Sequence, residues 1–407
     1  MTLNEEKIRF YSSRVGESPF LIFIICHSAH IIISSIGILS KNIKNAYLRS
    51  LFEIFILGIL IFLVVSNDFT LVLMLAFPLF KKRERKKEMQ NKRNYYLSLT
   101  KLSLLFLTTV CIIFVDFPSF PVSHGKVSKH LFFWNDKIIP NDLMRFDDTS
   151  SQNHVAISLM DCGAAIFVIM NGYSSLSFLK CLKNGIINTS LWFVRKLLTK
   201  SVNYYVPEGE YGKHCNFFGY IGFVQIIAAF VSLLRIPSSY FGLFILVIHE
   251  FTSHHYPILG YLSLYFISNY MGFKCDSESS IIKHILQFII YFLPTIFSSF
   301  EILFPSREEV NASFILFIFS IIYTSFITGY YYPLDYDKFS LFYKAVDQNP
   351  LVFFGFSNIL TGIINIIIDT NKSNCLNTFI CTYITFVISS LLTIIFSHFK
   401  KVYLLKK

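Results

Sequence analysis

The sequence predicts an all-α fold, a polytopic bundle of about thirteen transmembrane helices forming one domain over residues 1–407. Three observations predict it. First, 54% of the residues are hydrophobic and only 15% are charged, with a mean hydropathy of +0.54. A water-soluble chain of this length needs more charge to cover its surface. Second, long apolar runs follow one another along the chain. Third, the Lys and Arg residues collect in short stretches between those runs, as they do in cytosolic loops of multispanning proteins.

The runs, in order, cover 20–40, 51–66, 69–80, 97–117, 155–179, 186–198 and 216–234, then 240–251, 258–271, 281–303, 313–331, 351–368 and 379–396. The third, sixth, eighth and ninth are short, which suits tilted or re-entrant segments. Residues 81–93 read KKRERKKEMQNKR, and the 41–49 loop carries Lys41, Lys44 and Arg49. Both are expected on the cytosolic side, as is the basic tail from Lys400 to Lys407. Thirteen spans with a non-cytosolic amino terminus and a cytosolic carboxyl terminus satisfy all three. Polar stretches 118–154, 203–215 and 305–311 then face the other compartment, and 127–153 reads as a surface insertion in the longest of them.

The net charge of +11 follows from these cytosolic loops. Nucleic-acid binding is excluded, because the basic residues flank apolar segments and form no soluble basic domain. The eight cysteines are scattered, with no CxxC pair and no zinc spacing, and no metal site is expected. His254 and His255 are adjacent, so they point apart on a helix. Nucleophile-elbow, Walker and HExxH patterns are all missing.

Chemistry is expected where ionisable groups sit at membrane depth, because such groups are expensive there and need a partner or water. Asp116 ends the fourth run, in CIIFVDFPSFP, and Asp161 lies inside the fifth. Glu210, His214 and Asn216 lie at the mouth of the seventh, and Asn358, Asn365 and Asp369 belong to the twelfth. In the expected topology all four stretches lie at or near non-cytosolic helix ends, so they are candidates for one polar cavity. Pro118 and Pro121 stop the fourth helix, since proline lacks an amide donor and restricts the residue before it. A carboxylate at such a break is held at the membrane boundary, and Lys126 lies near enough in sequence to fold back to it. Gly163, Ala164 and Ala165 are read as helix-packing residues.

These segments resemble those of the GPI inositol acyltransferases, also called the GPI-anchored wall transfer proteins. The resemblance rests on residues 115–121 (VDFPSFP) with the nearby Lys126, and on residues 158–172 (SLMDCGAAIFVIMNG). It continues in residues 210–218 (EYGKHCNFF), 260–265 (GYLSLY) and 349–370, the last matching NPLxxFxxxNxLTGxxNxxxxT. The blocks occur in the family order over nearly the whole chain. The chain departs from the family in having FPVSHGK where two arginines usually precede the lysine, and in a longer stretch between Lys126 and Ser158. Lys129 is therefore a second candidate for the family lysine.

The resemblance implies a multispan membrane enzyme of the endoplasmic reticulum. It would transfer a fatty acyl chain, typically palmitoyl, from acyl-CoA to the inositol hydroxyl of glucosaminyl-phosphatidylinositol. Acyl-CoA would be a co-substrate, with no permanently bound cofactor, and membrane lipids would surround the chain. Asp116 is expected to act as general base on the inositol hydroxyl. Lys126 is expected to orient Asp116 or to stabilise the thioester oxyanion. Asp161, Glu210, His214, Asn216 and Asn358 are expected to shape the headgroup site, and Lys180, Lys183, Arg195 and Lys196 to hold the phosphates of acyl-CoA. A secondary transporter of a lipid or small metabolite is the alternative, since many spans with buried carboxylates suit it as well.

Overall fold

The computed structural model describes residues 19–66, 92–117, 119, 157, 159–173, 177–201, 217–234, 236–252, 256–274, 281–298, 305–306, 309–331 and 339–405. Among these residues there are thirteen α-helices. They are α1 Pro19–Ser40, α2 Ala46–Val65, α3 Lys92–Phe114, α4 Leu159–Gly172, α5 Phe178–Ser201, α6 Phe217–Leu233 and α7 Ser238–Phe251. There follow α8 Pro257–Lys274, α9 Ile281–Ser298, α10 Ala312–Tyr331, α11 Leu341–Gln348, α12 Pro350–Ile367 and α13 Cys375–Leu405. Six are long and apolar enough to cross a membrane by themselves: all or most of α1, α2, α3, α10, α12 and α13. A fourteen-residue helix such as α4 spans only about 21 Å, against about 30 Å of hydrocarbon.

Twelve of the thirteen expected runs coincide with a helix. The third, 69–80, lies outside the described residues. α11 has no apolar run behind it and was not expected. The fifth run is also shorter than 155–179, since α4 stops at Gly172. There the Asn269 side chain donates 2.8 Å to the Gly172 carbonyl and satisfies the end of the helix.

The chain divides into two compact units, one of residues 1–20, 122–275 and 291–318 and the other of residues 21–121, 276–290 and 319–407. One unit contains α4 to α8. Twelve of the fourteen α4 residues are buried, so this helix is enclosed by protein. Its neighbour α5 is polar inside and apolar outside: Cys181, Gly185 and Asn188 are buried, while Ile187, Leu191, Val194 and Leu197 are exposed. That inversion is stable only against lipid, where exposed Leu and Ile carry no penalty and a buried amide finds a protein partner. The partner is Gln225 of α6, whose Oε1 accepts from Asn188 at 2.7 Å and whose Nε2 donates to Asn171 of α4 at 2.8 Å. Three helices are thus joined by one chain of amides.

α8 packs closely on α4, with Gly172 against its backbone. A Cβ at Gly172 would run into the Tyr265 carbonyl and Ser268. Gly172→Ala is expected to destabilise the protein by about 1–3 kcal/mol through overpacking. A melting temperature equal to wild type in detergent would show that the two helices separate without cost.

The other unit contains α1 to α3 and α11 to α13. Phe106 of α3 is its aromatic hub, stacked on Phe342 of α11 at 5.2 Å and edge-on to Phe353 of α12 and Phe386 of α13 at 5.6 and 5.5 Å. α2 and α3 run parallel, because Phe62 and Phe114, each near the end of its helix, pack at 4.8 Å. α13 is antiparallel to α2, with Phe379 at its start against Phe62 at 5.0 Å.

This unit therefore has two polar ends. At one, Glu53 is fully buried, accepts from Ser40 and Ser340, and pairs with Arg49 at 3.1 Å. Lys101 bonds both the Asp347 carboxylate and its carbonyl at 2.9 Å, and Lys400 donates 2.9 Å to Asn349. The basic loop 41–49 and the basic tail thus share one end, as the charge pattern predicted. Asp116 lies at the other end, fifteen residues or about 22 Å along the chain axis from Lys101.

Candidate functional site

Asp116 follows the last residue of α3 by two positions. Helical bonding runs on past the assigned end, with the amides of Val115, Asp116 and Phe117 donating to the carbonyls of Cys111, Ile113 and Phe114 at 2.9, 3.2 and 3.0 Å. The next residue in the sequence, Pro118, has no amide hydrogen with which to continue the run. The backbone of Asp116 is therefore as fixed as the helix, and its side chain is only 3% exposed. The Asn365 Nδ2 of α12 donates to the Asp116 Oδ2 at 2.6 Å. Just beyond Pro118, the Ser119 hydroxyl donates to the Thr378 Oγ1 of α13 at 2.8 Å. Three helix ends, those of α3, α12 and α13, are thus tied together around one carboxylate. The link between α12 and α13 adds a buried Thr370 and an exposed ion pair of Lys372 with Asp369 at 3.1 Å.

An ionised carboxyl offers about four lone-pair sites for hydrogen bonding. It can accept a proton from an alcohol brought within hydrogen-bond reach.

The remaining candidates divide. Asp161 is fully buried in the first turn of α4. Asn358 bonds its own helix and not Asp116. It is half-buried and donates 2.8 Å to the Phe354 carbonyl of its own helix, two turns before Asn365. Glu210, His214, Asn216, Lys126, Lys129 and the 127–153 insertion lie outside the described residues.

Lys180, Lys183, Arg195 and Lys196 all belong to α5, but they do not form one cluster. Lys180 and Lys183 occupy its first two turns, while Arg195 and Lys196 lie near its far end. The twelve residues from Lys183 to Arg195 span about 18 Å of helix. The two pairs therefore lie at different places along the helix. Lys196 lies 5.5 Å over the Trp192 ring, a cation–π placement of its own.

Sequence reasoning missed the Asn171–Gln225–Asn188 amide chain and the Ser119–Thr378 bond. Part of the signal for the first was present, as Gln225 is a lone amide inside an otherwise apolar helix. Which amides meet was not readable.

Comparison with known proteins covers much of the chain. A family model described as GWT1 matches residues 153–257 and 256–396, so both matched stretches follow Asp116. An uncharacterized protein of Arabidopsis thaliana is 25% identical over 348 residues, 74% of this chain and 73% of that protein. GPI-anchored wall transfer protein 1 of Schizosaccharomyces pombe is 26% identical over 340 residues, 70% of this chain and 68% of that protein. The phosphatidylinositol-glycan biosynthesis class W protein of Dictyostelium discoideum is 29% identical over 219 residues, 44% of this chain and 43% of that protein.

Proposed function

The chain belongs to the GWT1 family, the GPI inositol acyltransferases, and from that premise we propose that it uses acyl-CoA as donor and Asp116 as general base. The acceptor is the inositol hydroxyl of glucosaminyl-phosphatidylinositol, and the donor acyl chain is palmitoyl. Asp116 takes the proton of that hydroxyl as its oxygen attacks the thioester carbonyl. The new C–O bond forms, the C–S bond breaks, and the thiolate of coenzyme A leaves and is protonated. A direct transfer of this kind has no covalent enzyme intermediate. Lys126, or its rival Lys129, places a cation near the oxyanion. Asp161, Glu210, His214 and Asn216 contribute to the headgroup site.

The observation that carries this reading is the buried Asp116 carboxylate, tied to Asn365 at a proline-stopped helix end. The end that holds Arg49, Lys101 and Lys400 is assigned to the cytosol, and the Asp116 end to the lumen of the endoplasmic reticulum. The amino terminus is then lumenal and the carboxyl terminus cytosolic.

The test is purified full-length protein in lipid, given labelled palmitoyl-CoA and glucosaminyl-phosphatidylinositol. Acylated lipid and free coenzyme A released in equal amounts support the proposal. Ion-coupled uptake into vesicles with no acylated product would replace it with the transporter reading.

Lys180 and Lys183 are the better pair for the phosphates of acyl-CoA, because they begin the helix after the fifth span, at its expected cytosolic end. Both are exposed. Lys180→Ala/Lys183→Ala is expected to raise KM for acyl-CoA about three- to tenfold at unchanged kcat. Arg195→Ala/Lys196→Ala is the control, and an equal rise there would overturn the assignment.

A further inference from the structure

Resting on the reading of Asp116 as the base, we propose that Asn365 is its positioning residue, setting the plane in which the carboxylate meets the acceptor hydroxyl. The helix tail fixes the backbone of Asp116 but leaves two side-chain torsions to be set. The 2.6 Å bond from Asn365 Nδ2 to Oδ2 restrains them.

The behaviour of the other polar groups on α12 separates this from ordinary interhelical packing. Ser357 donates to the Phe353 carbonyl, Asn358 to that of Phe354 and Thr361 to that of Ser357, at 2.8–2.9 Å. Back-bonding to the residue four earlier is how short polar side chains satisfy themselves in an apolar helix. Asn358 and Asn365 sit on the same helix, seven residues apart and hence on one face, with the same chemistry. Asn358 bonds its own backbone, whereas Asn365 reaches across 249 sequence positions to Asp116. The Ser119–Thr378 bond holds the chain leaving Asp116 and keeps the carboxylate within reach of the amide.

The experiment uses full-length protein reconstituted in lipid and four variants: Asn365→Ala, Asn365→His, Asp116→Asn and the double Asp116→Asn/Asn365→Ala. Asn365→Ala is expected to lower kcat about 10- to 100-fold with both KM values within about twofold of wild type, as for a misplaced catalytic group. Asn365→His keeps an N–H donor at the same reach and is expected to recover most of that loss. If Asn365 works only through Asp116, the double variant is no slower than Asp116→Asn alone.

A double variant slower by the full factor of Asn365→Ala overturns the proposal. So does a KM rise at constant kcat, or a histidine variant as poor as alanine. Where Asn365→Ala does not fold, Asn365→Leu fills the same volume and carries the same test. Wild-type turnover by Asp116→Asn is a separate failure, that of the base and not of its positioning.

Discussion

Asp116→Asn is expected to fold like the wild type and to lose acyl transfer by about 10²- to 10⁴-fold. The substitution is isosteric. The amide oxygen of the replacement can still accept from Asn365, and the buried end of α3 keeps its shape. Only the ability to take up a proton is removed. An alcohol is a poor nucleophile near neutral pH, so attack on a thioester depends on a base acting in the same step. The measurement is single-turnover formation of acylated glucosaminyl-phosphatidylinositol, alongside a melting curve in detergent. The expected result is a lost rate at an unchanged melting temperature with both substrates still bound. A variant that turns over at the wild-type rate would remove Asp116 from the chemistry and leave it as a helix-end contact.

The largest expected effect on stability lies at the opposite end of the same unit. Glu53 is fully buried and its Arg49 partner is 12% exposed by side chain. Ser340, which caps α11 by accepting from the Tyr343 amide at 3.2 Å, also donates to Glu53. Arg49 donates from its Nε to Ser40 at 3.1 Å as well. Glu53→Ala strands a nearly buried guanidinium and two hydroxyls together. Removing one partner of such a pair costs about 3–5 kcal/mol, because the remaining charge stays out of water. Glu53→Leu/Arg49→Leu is expected to recover most of that loss, since an apolar pair carries no desolvation penalty. Chemical denaturation or thermal melting of the three proteins in one detergent measures both effects. A single variant as stable as wild type would show that α11 is not anchored through Glu53. Below its melting temperature Glu53→Ala should keep a normal kcat, because Asp116 lies at the other end of the bundle.

The sequence did not make this second site visible, although the clues were there. Glu53 interrupts an apolar helix, and Arg49 precedes it by four residues, the spacing of a helical ion pair. What gives the pair its weight is Ser340, 287 positions away. α11 was invisible for a related reason. Its eight residues, LFYKAVDQ, alternate apolar and polar groups around a short helix and make no long apolar run. It is held by Phe106 and Lys101 of α3 and, through its cap Ser340, by Glu53 of α2, and none of these three partners is local to it.

What the sequence determined by itself was everything set by composition and local period. It fixed the membrane class, the order of the helices, the break at Pro118 that leaves a carboxylate at a helix end, and the collection of basic residues at one end of the second unit. These follow from the free energy of placing each side chain in lipid or water, which is a property of the residue and its near neighbours. Only the tertiary structure decided that Asn365 and not Asn358 meets Asp116, that the four basic residues of α5 form two separated pairs, and that an amide chain joins α4, α5 and α6. A polar side chain inside a membrane must find a partner, but which partner depends on helix packing between segments hundreds of residues apart. Apolar patterns alone leave that packing undetermined, because every lipid-facing and core-facing stretch is drawn from the same few residue types.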